Sequence, residues 1–125
     1  MKKVIYTESA PFPRGPYSQA IEAGGMLFVA GQVPLDPITG KMAEGGIEEQ
    51  TARVLDNIGA ILDAAGYRFG DVVKTTCLLS TMADFQAMNA VYARYFETDP
   101  PARVTFAVKE LPLNALVEIE LIAAK

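Results

Sequence analysis

Arginine is the preferred bidentate clamp for a carboxylate, and a glutamate in a partly buried setting can accept a proton from a water nucleophile. In Ala102 to Val108, strand alternation places Arg103, Thr105 and Ala107 on one face and Val104, Phe106 and Val108 on the other. In Leu116 to Ala123 it sets Glu118 and Glu120 against Val117, Ile119, Leu121 and Ala123. Both strands are expected to turn their polar residues to one face, where Arg103 and a glutamate could meet in a cleft around a small acid. Spacing alone does not choose between Glu118 and Glu120. Taken alone, periodicity favours a solvated ion pair on an exposed sheet face, which contributes little.

Other candidates are fewer because the chain has no histidine. That excludes serine-histidine triads, histidine bases and histidine metal ligands. Cys77 is the only cysteine, so no intrachain disulfide or cysteine-based zinc site can form, and it reads as a buried apolar residue. Tyr17 follows a Gly15-Pro16 turn, where a phenol either packs or flanks a pocket. Asn89 falls on a mostly apolar helical stretch, where its amide needs a structural partner or a ligand. The pairs Gly24-Gly25 and Gly45-Gly46 lack the lysine and hydroxyl of a phosphate loop. The net charge of -4 and pI near 4.8 give no general attraction to phosphate backbones, so nucleic acid is not an expected partner.

The elements that must position these residues follow from periodicity. The 125 residues suit one domain over 1–125, and an apolar half with 21% charge suits a folded interior. Lys3 to Tyr6 predicts a strand. Tyr17 to Ala23, Gly24-Gly25 and Met26 to Ala30 predict a hairpin. Apolar residues at helical spacing predict a helix over Ile47 to Ala65, with Glu48 and Glu49 at its positive end and Gly66 as a left-handed cap. Val72 to Leu79 is a strand, and Thr81 with Asp84 opens a second helix carrying Phe85, Met88, Tyr92, Tyr95 and Phe96. Pro100-Pro101 bars its continuation, and the two strands named above complete an α+β layer, two helices on one face of a six-stranded mixed sheet. Met26 to Ala30 and Cys77 to Leu79 are apolar on both sides, so the face without helices is expected to be buried in an oligomer. Met1 to Tyr6 is too short for a signal-peptide core or a membrane span, giving a cytoplasmic expectation and no membrane partner.

G-P-Y-S-Q at 15–19, G-Q-V-P at 31–34, N-A-V-Y at 89–92, P-P-A-R-V at 100–104 and V-E-I-E at 117–120 occur in order over nearly the whole chain. Together they resemble the reactive-intermediate deaminase family, RidA, formerly YjgF. The resemblance implies a chorismate-mutase-like fold and a homotrimer whose sheets form a central barrel, with three inter-subunit sites. It implies hydrolysis of 2-imino acids, 2-iminobutanoate and 2-iminopropanoate, released by pyridoxal-phosphate dehydratases, to 2-keto acids and ammonia without a cofactor or metal. By that similarity Arg103 binds the substrate carboxylate and Glu118 positions or activates water. Tyr17 and Asn89 line the pocket, and Gly31 lets backbone approach the ligand. Ala30 and Thr105 depart from a frequent serine and cysteine; Thr105 still offers a hydroxyl and backbone groups to the substrate. Other readings are a keto-acid-binding regulator without turnover and a chaperone-like protein; some relatives are described as ribonucleases or translation inhibitors.

Overall fold

In the computed structural model, which describes residues 1–125, six strands and two helices build one layered unit. The strands are β1 (Lys3–Ile5), β2 (Ala20–Ala23), β3 (Met26–Gln32), β4 (Val72–Leu79), β5 (Ala102–Ala107) and β6 (Val117–Ala124). Helix α1 spans Ile47–Ala65 and α2 spans Phe85–Tyr95. The sheet order is β1-β2-β3-β6-β4-β5, antiparallel except for the β4–β5 pair. A parallel pair needs a crossover, and α2 supplies it.

Helix α1 forms where the apolar spacing requires it. Glu49 accepts a hydrogen bond from the Gly46 N–H at 2.8 Å, and Gly66 closes the helix in a left-handed conformation at φ 80°. Its buried Val54, Leu55, Ile58, Ile61 and Leu62 pack against Leu27, Cys77, Leu79, Val117, Ile119 and Leu121 of the sheet. The Thr81 hydroxyl accepts from the Ala83 N–H, but it caps a short 3-10 turn, Met82–Asp84, and α2 begins after it. The β2 strand is shorter than expected because Pro11, Pro13 and Pro16 hold residues 11–19 in an irregular loop.

Register fixes which residues share a face. Cys77 pairs with both Thr105 and Ile119, and Thr75 with both Arg103 and Leu121. Arg103 and Thr105 therefore face the helices. Leu78 pairs with both Phe106 and Glu118, and Thr76 with both Val104 and Glu120, so these lie on the helix-free face. The expectation that Arg103 and Glu118 share a face of one chain is wrong. Alternation within each strand was right, but β4 lies between the two strands, and its register sets them out of phase. Val104 and Phe106, 43% and 46% exposed, are not core residues; with Val4 and Phe28 they leave an apolar open face.

Candidate active site

The glutamate half of the site lies on the open face. Glu118 lines a cavity of about 490 Å³ with Tyr17, Gln19, Ala30, Gly31 and Gln32. Burial pushes the Glu118 carboxyl above its ordinary value, and the like charge of Glu120 adds to the shift. Gly31 has a specific reason to lack a side chain, since a Cβ there would collide with the Glu118 carboxylate. It makes room for Glu118, a role distinct from the ligand approach implied by resemblance. Tyr17 is half exposed in the cavity wall, and its hydroxyl accepts from the Arg14 N–H at 3.3 Å.

Gln19 organises this wall and was missed in the sequence. Buried to 1% exposure, it accepts from the Thr7 N–H at 2.7 Å and donates to the carbonyls of Thr7 and Pro11, both at 3.0 Å. An amide has both donors and an acceptor, so one side chain can tie the proline-rich loop at two points. Leu113 also borders the cavity, in a left-handed conformation at φ 58° that bulky residues rarely adopt. No sequence signal marks that conformation at a leucine.

The arginine half lies on the helix side, at edge strand β5. Arg103 Nη1 donates to Asn89 Oδ1 at 2.7 Å, and the guanidinium sits 4.8 Å from the Tyr92 ring centroid and 5.6 Å from that of Phe85. Tyr92 is held from behind by a 2.8 Å hydrogen bond between its hydroxyl and that of Thr75. Arg103 is thus oriented by a neutral amide and two aromatic faces, which leaves its charge for an anion. Asn89 orients the arginine through its Oδ1. Arg103, Asn89 and Tyr92 border a second cleft, with Pro100 and Pro101 on its rim. The arrangement of Phe85, Asn89 and Tyr92 along α2 reflects the spacing that sets residues three and four apart on one helix face.

Thr105 lines neither of these clefts. Its Oγ1 is buried without a hydrogen-bond partner, beside Cys77 in the register. Cys77 itself is fully buried, and burial pushes its thiol up to about 11, so it is an inert core residue. No group of three or more carboxylates or cysteines is placed to hold a metal ion, and no helix is long and apolar enough to cross a membrane.

Within one chain, then, a carboxylate cavity and an arginine cleft open on opposite faces of one sheet. Residues 7–125 match the family described as Endoribonuclease L-PSP. The chain belongs to this RidA/YjgF family. It is 58% identical to a RutC family protein of Pyrococcus horikoshii over all 125 residues, covering 99% of that protein. It is 46% identical to the 2-iminobutanoate/2-iminopropanoate deaminase of Mus musculus, again over the whole chain and 93% of that protein. The crystal structure of a putative endoribonuclease from Thermotoga maritima superposes with a TM-score of 0.98 at 51% identity, covering 100% of this chain and 98% of that one.

Proposed function

We propose that this RidA family member hydrolyses small 2-imino acids, such as 2-iminobutanoate and 2-iminopropanoate, to 2-keto acids and ammonia. The reading is carried by the division of the site: an arginine whose bonded partner is neutral on one face, and a half-buried glutamate in a cavity on the other. A second copy of the chain docked on the open face brings the Arg103 of one subunit to the Glu118 of the next. The apolar open face supports such docking, and a closed ring of three leaves no copy of that face uncovered. The name of the mouse relative supports the reaction class.

In this site Arg103 grips the substrate carboxylate and holds the imine carbon against Glu118. Glu118 takes a proton from water as the oxygen adds to that carbon and returns it to the nitrogen, giving a neutral carbinolamine whose hydroxyl proton then passes to the departing amine by the same carboxylate. Collapse of the carbinolamine then expels ammonia and forms the keto oxygen. A carboxyl with a raised pKa suits both proton acceptance and return. RNA cleavage, which the family description suggests, is disfavoured by the acidic balance and the absence of histidine.

The test is formation of 2-ketobutyrate from the imine that a threonine dehydratase releases, with and without this protein. Wild type should accelerate it, whereas Arg103→Ala and Glu118→Gln should accelerate it far less. Saturable binding of 2-ketobutyrate without acceleration would establish the regulator reading instead.

A further inference from the structure

The Glu118 cavity holds a second charged group for which the reaction has no use. Arg14 lies on the cavity wall, in the loop bearing Pro11, Pro13 and Pro16. Prolines restrict backbone freedom on both sides of it. Its Nη2 donates to the Gly40 carbonyl at 2.9 Å, and its own N–H donates to the Tyr17 hydroxyl. Gly40 has φ +71°, and a Cβ there would stand only 3.2 Å from that Nη2, so the glycine both makes the turn and admits the guanidinium. The guanidinium is thus anchored through one nitrogen by a neutral acceptor, with further N–H donors to spend.

Arg14 and Glu118 line one cavity, and the side-chain hydrogen bond of Arg14 goes to the Gly40 carbonyl and not to the glutamate. Apolar surface from Phe12, Leu35, Pro112 and Leu113 lines the same space. At about 490 Å³ the cavity of the single chain has room for an acid longer than four carbons.

We propose that Arg14 makes this site selective for 2-imino acids, and the 2-keto acids they become, whose side chain ends in a carboxylate. The inference rests on the deaminase reading for the fate of the ligand. The α-carboxylate goes to the Arg103 of the neighbouring copy, the imine carbon to Glu118, the methylenes to the apolar wall and the distal carboxylate to Arg14.

Calorimetric titration with 2-ketoglutarate and 2-ketobutyrate tests it on wild type, Arg14→Leu and Arg14→Lys, alongside turnover of the matching imines generated by amino-acid oxidases. Wild type should bind the diacid about tenfold tighter, the scale of one charge-assisted hydrogen bond that remains partly solvated. Arg14→Leu should abolish that ratio and Arg14→Lys should keep part of it. Equal affinities in wild type, or a ratio unchanged in Arg14→Leu, would overturn the inference. An Arg14-dependent preference without turnover of any imine would uphold Arg14's selectivity and sink the deaminase reading, so the two failures are distinguishable.

Discussion

Subunit mixing tests the proposed shared site most directly. Arg103 and Glu118 lie on opposite faces, with β4 between their strands, so they are separated by two strand spacings, roughly 10 Å, as well as by the sheet. One chain cannot apply both to one small acid. Arg103→Ala removes a charged clamp, about 1.5–3 kcal/mol or roughly 10- to 150-fold in kcat/KM. Glu118→Gln preserves shape and removes the proton acceptor, a loss of roughly 10²- to 10⁴-fold. When the two variants are unfolded together in equal amounts and refolded, each cleft draws its arginine from one subunit and its glutamate from another. The chance that the first is intact is one half, and likewise for the second, so about one quarter of clefts recover both residues whatever the ring size. The coupled dehydratase assay should therefore read about a quarter of the wild-type rate, from parents that give about a tenth or less. Native mass spectrometry establishes that mixed oligomers have formed. Mixed oligomers with only the mean activity of the parents would refute the argument that the site is shared.

The other predictions concern single positions. Tyr92→Leu removes an aromatic face from Arg103 and should raise KM by roughly 3- to 30-fold, the scale of a cation–π contact, while Tyr92→Phe should keep most affinity in the same assay. Tyr92→Phe leaves the buried Thr75 hydroxyl unpaired, so denaturant titration should show a stability loss of about 1–3 kcal/mol. Gly31→Ala should lower kcat by displacing the Glu118 carboxylate, with CD melts close to wild type; unchanged kcat would dissociate Gly31 from the glutamate. Since the like charge of Glu120 helps to raise the Glu118 pKa, Glu120→Gln should move the acid limb of the kcat/KM profile to lower pH. Glu118 is neutral more readily folded than unfolded, so its contribution to stability is complete below the ordinary carboxylate pKa and is lost as pH rises through the raised one. Glu118→Gln should accordingly be more stable than wild type at neutral pH and show no such gain in acid; a pH-independent difference in denaturation midpoint would contradict this.

How much of this was legible before the structure depended on the range of the interaction. Helix α1 occupies the predicted Ile47–Ala65, and β4 the predicted Val72–Leu79, because local periodicity and caps decide them. The hairpin turn at Gly24-Gly25 was legible for the same reason, both glycines having positive φ. What could not be read was the relative phase of β5 and β6. They are not hydrogen-bonded neighbours, and their phase is set through β4 by pairings such as Thr75 with Arg103 and with Leu121. One step of register exchanges the faces, and no local signal records it. The clamp on Arg103 was half visible: Asn89 was a candidate, whereas Phe85 and Tyr92 read only as an apolar stripe. Gln19 entered only as the end of the G-P-Y-S-Q block and Arg14 not at all, because the partners of their side chains are backbone groups of irregular loops.

The division of the site has a physical logic of its own. The helix-covered face is filled by the core, so a cleft there can open only at its margin, and the margin at β5 is where Arg103 lies. The open face has space for a cavity, but a carboxylate there in a free subunit keeps one side to solvent. In the proposed assembly a second copy would remove more of that solvent, which raises the Glu118 pKa, and would bring the Arg103 charge, which lowers it, while the drier cleft strengthens the grip of Arg103 on an anion. On this reading assembly completes the site, because neither half acts alone. Dilution below the assembly constant should therefore lower specific activity, while the acid limb of what remains stays in place because only assembled clefts turn over. Specific activity that does not fall although sedimentation velocity shows dissociated chains would mean that one chain carries a complete site.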